Sequence, residues 1–208
     1  MALDFQKIIA SPDAAYGEGL RFFRGKGMLN EAISKLAADF EREGISYAAV
    51  GAIALNRHGY KRFTEDIDLL LTRDGLDKFR ESLIGRGYRP AFEGATKKFR
   101  TSNNIPIDII VAGEYPGDGL PKPVVFPNPD DFAVDIEGVR TIELDKLIEL
   151  KLASRISAPH RLKDLADVQE LIKIKFLDGS FAQNLDESVR AKFIELAEAV
   201  AAAGDELN

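Results

Sequence analysis

The chain lacks cysteine entirely and has only two histidines among its 208 residues. Without cysteine it forms no disulfide bond and no thiolate metal site, and so few histidines argue against a zinc enzyme. Carboxylate oxygens are therefore the side-chain metal ligands that this composition provides.

Long apolar runs and an excess of positive charge are also missing. No run approaches the length of a membrane span, and the first residues carry Asp4 without the apolar core of a secretory signal. The formal net charge of −6 argues against a protein that coats nucleic acid through bulk electrostatics. With 45% hydrophobic and 30% charged residues, the composition is typical of a soluble globular protein. We predict a cytoplasmic location and no membrane partner.

Residues 47–71 form the most informative stretch, with the sequence YAAVGAIALNRHGYKRFTEDIDLLL. It ends in a strand-like run that contains Asp66 and Asp68. Residues two apart on a strand project from the same face, so these carboxylates are expected side by side. Two anions at such close range repel, and a cation between them explains the pairing. For a site made of oxygen ligands that cation is Mg²⁺ or Mn²⁺.

The hydrophobic spacing around this stretch predicts alternating helices and strands. Gly44 is a typical left-handed helix stop, and Gly51-Ala52 follows a short strand and opens a helix. A strand, a glycine turn and a helix start in succession can aim backbone N–H groups at an anion. The predicted elements are helices over 29–43, 53–58 and 74–87 and strands over 45–50 and 66–71.

A third acid, Asp108, lies inside an otherwise apolar predicted strand over 105–111. This strand forms a predicted hairpin with 97–101 across a turn at 102–104. Asp108 is therefore a third candidate for the carboxylate site. The elements predicted beyond it are a Gly- and Pro-rich loop over 112–131, a hairpin turn at 135–139, and helices over 144–156, 162–172 and 187–203.

The order of these elements predicts an α+β fold, in which a mixed sheet with flanking helices is followed by a C-terminal helical domain. Residues 1–27 form an irregular or helical lead-in, in which several glycines favour irregular structure. Residues 28–140 form the predicted core, and residues 141–208 form the helical domain. The sequence contains no internal repeat and no low-complexity segment.

The glycine turn, the acid pair and the third acid together resemble the nucleotidyltransferases of the DNA polymerase β superfamily. Val50-Gly51-Ala52 is followed by thirteen residues and then by Asp66-Ile67-Asp68-Leu69, and Asp108 matches the third acid of the family. The lead-in Arg62-Phe63-Thr64-Glu65 and the later Lys163-Asp164-Leu165-Ala166-Asp167 are similar to the AbiEii-type branch, which includes bacterial toxins. The resemblance covers residues 47–111 well and 151–172 loosely.

This resemblance implies a nucleotidyltransferase-type fold and a metal-dependent enzyme. The enzyme would transfer a nucleoside monophosphate from an NTP to a hydroxyl of an acceptor and release pyrophosphate. Asp66 and Asp68 would bridge two Mg²⁺ ions, with Mn²⁺ as an alternative, and Asp108 would ligate the catalytic metal and help to deprotonate the acceptor. The predicted nucleotide-binding residues are Gly51, Ala52, Thr64, Lys151 and Arg155.

Three of these nucleotide contacts have an alternative interpretation. Lys151 and Arg155 lie four residues apart on one predicted helix face, from which they would close over a triphosphate. It is equally expected that they pair with nearby acids on a solvated face. The hydroxyl of Thr64 either contacts phosphate or forms a local turn bond. The acids available for pairing are Glu149, Asp164 and Asp167.

Ala52 stands where the family carries Gly or Ser, so a hydroxyl that would contact phosphate is absent. This departure leaves open a non-catalytic module that binds NTP for regulation. The acceptor is also open between RNA or tRNA, a protein, and a small molecule as in antibiotic-type nucleotidyltransferases. A toxin of this type would have an antitoxin as partner. The basic cluster Lys97, Lys98 and Arg100 either receives an RNA backbone or belongs to a solvated hairpin.

Overall fold

A computed structural model describes residues 3–205 of the chain. Residues 1, 2 and 206–208, at the outer ends of the predicted lead-in and helical domain, lie outside the described residues. The helices are α1 Phe5–Ile9, α2 Pro12–Phe23, α3 Met28–Glu43, α4 Gly51–Arg57, α5 Arg73–Leu83, α6 Pro129–Phe132, α7 Leu144–Ser157, α8 Leu162–Lys175 and α9 Glu187–Asp205, with a 3₁₀ helix at Gly179–Asn184. The strands are β1 Tyr47–Ala49, β2 Ile67–Leu71, β3 Tyr88–Pro90, β4 Lys98–Thr101, β5 Pro106–Val111, β6 Ala133–Ile136 and β7 Val139–Ile142.

The strands form one mixed sheet in the order β3-β4-β5-β2-β1-β7-β6. The pairs β2–β5 and β1–β7 are parallel, and the other neighbouring strands are antiparallel. In the β2–β5 pair, Asp68 lies directly opposite Asp108. The predicted α+β architecture, a mixed sheet with flanking helices and a C-terminal helical part, is confirmed.

Alternation along the central strands divides the core into two layers, one on each face of the sheet. Ile67, Leu69 and Leu71 of β2 join a cluster with the buried faces of α3 and α5. Leu70 joins a second cluster with apolar residues of α4, α7, α8 and α9. Asp68 has the same parity as Leu70, so its side chain emerges on the face that the C-terminal helices cover.

The C-terminal helices share their hydrophobic core with the sheet. Leu147, Ile148 and Leu152 of α7 lie in the same buried cluster as Ala48 of β1 and Leu70 of β2. The predicted boundary between residues 140 and 141 falls inside β7. The division of the chain into domains stays a prediction.

Among the described residues, no helix combines the length and the apolar character that crossing a bilayer requires.

The lead-in is more helical than its glycines indicated, because tertiary contacts stabilise α2. Pro12 begins this helix in the position where its missing N–H costs nothing. Phe22 packs into the core, and the fully buried Glu18 accepts a hydrogen bond of 2.5 Å from the backbone N–H of Met28 at the start of α3. The irregular structure that the glycines indicated is therefore wrong for α2, whereas α1 agrees with the helical alternative.

The helix predicted over 74–87 ends earlier, at Leu83, and the short strand β3 follows it. Gly85 and Gly87 adopt φ values of 82° and 105°, which a helix does not accommodate. Tyr88 then pairs with Thr101 of β4, and its hydroxyl donates to Asp39 of α3 at 2.6 Å. These long-range contacts stabilise β3, and the local hydrophobic periodicity does not indicate this strand.

Candidate active site

Three predicted acids lie close to one another. Asp68 and Asp108 are register partners on the neighbouring parallel strands β2 and β5. Asp66 lies in a bend immediately before β2, close enough for its charge to raise the pKa of Asp68. The structure therefore brings Asp66, Asp68 and Asp108 together, although Asp66 lies just outside the strand on which it was predicted.

Asp68 is the electrostatically strained member of the three acids. Burial raises its pKa from 3.8 to about 7, and repulsion from Asp66 and Asp108 adds to this effect. Lys151 and Lys98 oppose the shift without cancelling it. The folded protein therefore disfavours a full negative charge on Asp68 near neutral pH, and a cation placed between these acids would relieve that cost.

Asp66 and Asp108 each have a hydrogen-bond donor of their own. The hydroxyl of Thr64 donates to Oδ1 of Asp66. The ammonium of Lys98 lies 2.6 Å from Oδ2 of Asp108, because Lys98 is its register partner across the β4–β5 pair. Of the two alternatives for Thr64, the structure has the local bond, and this bond orients a predicted metal ligand.

The donor set has the chemistry of a site for Mg²⁺ or Mn²⁺, because it consists of clustered carboxylates whose mutual repulsion a divalent cation would offset. Within residues 3–205, however, no group of three or more His, Cys, Asp or Glu side chains is arranged around a common point that could hold a metal ion. Oδ2 of Asp108 bonds to Lys98 instead. The metal site with Asp66, Asp68 and Asp108 as its ligands stays a prediction.

Gly51 has two reasons to be glycine. Its φ of 58° lies in the left-handed region that residues with a Cβ rarely adopt. A Cβ at this position would also overlap Oδ2 of Asp68 and lie 2.9 Å from its Cγ. The turn into α4 therefore lets the Asp68 carboxylate rest directly against the backbone of Gly51.

A second charged cluster faces the three acids from the C-terminal helices. Asp167 of α8 is almost completely buried, and one of its oxygens lies 2.7 Å from Nζ of Lys151 and 2.6 Å from a guanidinium nitrogen of Arg62. Arg62 belongs to the segment that leads into Asp66. The network thus connects α7, α8 and the segment before β2 through buried, charge-assisted hydrogen bonds.

Asp164 completes this cluster one helical turn before Asp167. Its carboxylate lies 3.2 Å from Nζ of Lys151, 2.9 Å from the hydroxyl of Ser154 and 2.8 Å from Nε of Arg161. Burial alone would raise its pKa, but Lys151 and Arg161 outweigh that effect and hold the pKa below 3.8. Asp164 is therefore a stable anion with its cations already in place.

The cleft between the two charged clusters contains two adjoining cavities. The larger has a volume of about 430 Å³, and we call it the strap lobe. The smaller, about 310 Å³, we call the polar lobe. Gly51, Asp68, Lys151, Arg161 and Asp164 line both and mark their junction. The strap lobe is otherwise lined by Val50, Lys97, Lys98, Asp108, Ile109, Ile110, Glu114, Tyr115, Pro116, Gly117, Phe126, Leu147, Leu150 and Ser154, and the polar lobe by Ala52, Arg62, Thr64, Asp66 and Lys163.

The strap, residues 113–126, runs beside the larger cavity and contacts α7. Gly117 has a φ of 77°, and a Cβ there would lie 2.7 Å from the carbonyl oxygen of Ser154 and would overlap the hydroxyl of Ser157. Lys122 secures the segment by donating to the carbonyl of Pro116 at 2.6 Å and to Ser157 at 3.2 Å. The predicted Gly- and Pro-rich loop is thus a wall of the cleft.

The structure places four of the five predicted nucleotide contacts at these cavities. Gly51, Ala52, Thr64 and Lys151 line one lobe or both, whereas Arg155 lines neither. Among the described residues, Nε of Arg155 is buried without a hydrogen-bond partner. The role of Arg155 in closing over the same site stays a prediction.

Several residues at the site were absent from the predicted set. Arg62 and Lys163 line the polar lobe, and both belong to the motifs that carried the AbiEii-type resemblance, so a signal for them existed. Arg161 lines both lobes, and Tyr115 and Phe126 line the strap lobe. Aromatic side chains inside a Gly- and Pro-rich segment were the available indication for the last two.

No protein-family model and no curated protein sequence matches the chain. Among solved structures, it is similar to the crystal structure of ANT(2")-Ia in complex with adenylyl-2"-tobramycin, with a TM-score of 0.54 and 16% identity over 78% of this chain and 95% of that one. The solution structure of ANT(2'')-Ia gives a TM-score of 0.51 and 14% identity, covering 84% of this chain and 93% of that chain. An antigenic nucleotidyltransferase-like protein from Paracoccidioides brasiliensis gives 0.50 and 16%, covering 83% and 90%.

At these identities the similarity establishes the fold. The predicted nucleotidyltransferase-type fold is confirmed, while the narrower assignment to an AbiEii-type branch stays a prediction.

Proposed function

We propose that the protein is a nucleotidyltransferase that moves a nucleoside monophosphate from an NTP to a hydroxyl of an acceptor and releases pyrophosphate. One observation carries the proposal. Asp68 lies at the junction of two cavities, with Asp66 lining one and Asp108 the other, beside a cluster of cations, on a fold similar to solved nucleotidyltransferases. Acids and cations on opposite walls of a cleft suit a substrate that carries negative charge and reacts beside the acids.

In this proposal the triphosphate occupies the polar lobe. Arg62, Lys151, Arg161 and Lys163 line it together with three acids, which leaves one cation in excess. Lys163 is exposed and forms no salt bridge with any of the described residues, so it can approach a phosphate without breaking an ion pair. The backbone N–H groups of Gly51 and Ala52 are the proposed neutral donors to phosphate, and they need no side-chain hydroxyl.

The acids perform different tasks in this proposal. Asp66, Asp68 and Asp108 are the residues that would hold Mg²⁺, as two ions, or Mn²⁺. When bound, the metal supplies positive charge that stabilises the charge developing on the transferred phosphoryl group. Thr64 orients Asp66 through its hydroxyl, and Asp108 receives the proton of the acceptor hydroxyl.

The test is a transfer assay with α-labelled NTPs, MgCl₂ and candidate acceptors, comparing the wild type with the double variant Asp66→Asn/Asp68→Asn. We expect transfer and pyrophosphate release to fall on the order of a hundredfold or more, since the charges that stabilise the transition state are gone. Thermal stability should not fall, because the substitution relieves like-charge repulsion. Equal NTP turnover in the double variant would contradict the proposal.

Asp74→Asn/Asp77→Asn provides a matched control for this assay. Both residues are exposed on α5 and line neither lobe, so the control makes the same change in net charge away from the cleft. We expect it to keep wild-type transfer. A comparable loss in the control would assign the effect to overall charge and not to the site.

A second candidate function is a non-catalytic module that binds NTP for regulation. Two observations favour it, namely the Lys98 ammonium on Asp108 and the side chain of Ala52, which offers no hydroxyl to a phosphate. Nucleotide binding without covalent label on any acceptor would support the module. A toxin role with an antitoxin partner rests on the sequence resemblance alone.

A further inference from the structure

We propose that the acceptor is a small hydroxyl compound without phosphate groups, bound in the strap lobe between the strap, β5 and α7. The proposal rests on the proposed nucleotidyl transfer and names its acceptor class. Three features of the strap lobe carry it, namely the wall that the strap forms, its apolar lining and its charge balance.

The strap forms one wall of the lobe. Gly117 packs closely against Ser154 of α7, and Lys122 donates hydrogen bonds to both Pro116 and Ser157. At its base, the strap closes on itself through backbone hydrogen bonds between Gly113 and Phe126 and between Phe126 and Glu114, of 2.8 and 2.9 Å. The remaining space of about 430 Å³ lies within the range of ordinary small-molecule pockets.

The lining is apolar where it is not part of the charged clusters. Tyr115 and Phe126 come from the strap, Ile110 from β5, and Leu147 and Leu150 from α7. Such walls bury the carbon skeleton of a compact ligand, and the few polar groups between them fix its orientation. Asp108 lines the same lobe, so a hydroxyl on the bound ligand would reach its carboxylate.

The charges that line the strap lobe balance. Four acids, Asp68, Asp108, Glu114 and Asp164, face four cations, Lys97, Lys98, Lys151 and Arg161. Each of these cations is already in a salt bridge. A nucleic acid is held mainly by basic groups that neutralise its phosphates, and every cation that lines this lobe already has an acid as its partner.

Two further basic residues, Arg89 and Arg100, lie near this lobe on β3 and β4 and are the best case for an RNA acceptor. They are register partners, so they form a small basic patch on the sheet edge. Neither lines the strap lobe, and both donate to Asn104, which in turn donates to Asp4. The patch is therefore not part of the lobe in which the acceptor hydroxyl is proposed to lie.

The reaction in this arrangement balances as a simple substitution at phosphorus. The hydroxyl oxygen of the acceptor forms a bond to the α-phosphorus of the NTP, and the bond from that phosphorus to the bridging oxygen breaks. The bridging oxygen leaves with its electron pair as part of pyrophosphate. The hydroxyl proton passes to the Asp108 carboxylate, and the product is a phosphodiester of the small compound.

The experiment supplies the purified full chain with each α-labelled NTP, MgCl₂ and one of two acceptor fractions. The fractions are total bacterial tRNA and the part of a bacterial extract that passes a membrane retaining tRNA and protein. We expect label on a small compound in the second fraction and none on tRNA. Label on tRNA, or on the protein itself, would overturn the acceptor class while leaving the proposed function intact. Absence of pyrophosphate release with both fractions would overturn the proposed function and this proposal with it.

A variant pair tests whether the strap lobe is the acceptor site. Tyr115→Trp enlarges a lining side chain, whereas Leu120→Trp makes a similar change at an exposed position of the strap that lines neither lobe. We expect Tyr115→Trp to lower transfer to the small-compound fraction about tenfold, through a higher KM for that fraction, with the KM for NTP unchanged. Leu120→Trp should match the wild type. Equal effects of the two variants, or a rise in the KM for NTP alone, would contradict the assignment of the lobe.

Discussion

Two acidic clusters face the same cleft, and they differ in how their charge is compensated. Asp66, Asp68 and Asp108 on the sheet repel one another, and the pKa of Asp68 rises to about 7. Asp164 and Asp167 on α8 hold Lys151 between them, and the pKa of Asp164 falls below 3.8. The number of acids is similar, but the surroundings are opposite.

The difference separates the proposed functional cluster from a supporting one. The carboxylates on α8 form ion pairs with Lys151 and Arg62 and fix the positions of these two side chains. Replacing these carboxylates should therefore lower the stability of the fold. The carboxylates of the sheet cluster have too few nearby cations to compensate their mutual repulsion. This pattern is expected of groups that act on a bound ligand or ion. Variants of the two clusters should therefore differ in kind.

The largest effect on stability is expected from Asp167→Asn. This change removes the charge that compensates two buried or half-buried cations, and breaking such a pair typically costs about 3–5 kcal/mol. Urea unfolding would measure the loss. Glu170→Gln on the same helix is the matched control, since its salt bridge to Lys173 is solvent-exposed and worth at most about 1 kcal/mol. If the two variants lose the same stability, the supporting role of the α8 cluster is wrong.

A smaller loss is expected from Gly51→Ala, which tests how closely the sheet cluster depends on the turn before α4. The left-handed backbone alone should cost about 1–2 kcal/mol, and the displaced Asp68 carboxylate should add to it. Gly119→Ala isolates the backbone cost, because Gly119 has a φ of 75° and no atom lies within 4 Å of the position that its new methyl group would occupy. Unfolding experiments on both should rank Gly51→Ala as the more destabilised. If Gly119→Ala loses more stability, the close approach of Asp68 to Gly51 does not add to the cost of a side chain at position 51.

The smallest effect concerns pH and should distinguish Asp68 from Asp164. Because its folded pKa is raised, Asp68 binds more protons in the folded state between pH 3.8 and about 7, so its contribution to stability declines as pH rises through that window. Asp164 has a lowered pKa and contributes stability above 3.8 that is lost as pH falls below it. In metal-free buffer, Asp68→Asn should gain stability relative to the wild type as pH rises from about 4 to 7.

Asp164→Asn is the counterpart in that titration. Its deficit relative to the wild type should stay constant over the same range, because its own titration lies lower. Urea midpoints measured at a series of pH values would compare the two. Parallel curves for both variants would mean that the clusters do not differ in charge compensation.

Much of the fold followed from local patterns. Alternation along β2 and β5 predicted that Asp68 and Asp108 would face one side, and helical spacing located α3, α7, α8 and α9 within a few residues. Periodicity failed for α2 and β3. Glu18 and Tyr88 are held by partners on α3, and no local pattern reports such contacts.

The candidate site divides in the same way. Gly51 and the three acids were found from their order and spacing, since a glycine turn and strand-borne carboxylates are local features. The sequence by itself determined that Asp68 and Asp108 lie within strands and which residues of each strand share a face with them, because side-chain direction in a strand repeats every two residues. Only the tertiary structure decided which side chains lie next to these acids.

The meeting of Arg62 with Asp167 joins residues 105 positions apart, and the pairing of Lys98 with Asp108 depends on sheet register. These features arise from the packing of segments that are distant in the sequence, and local sequence patterns do not specify such contacts. For that reason the sequence determined the acids of this protein, and the tertiary structure decided which of them already have their counter-charge.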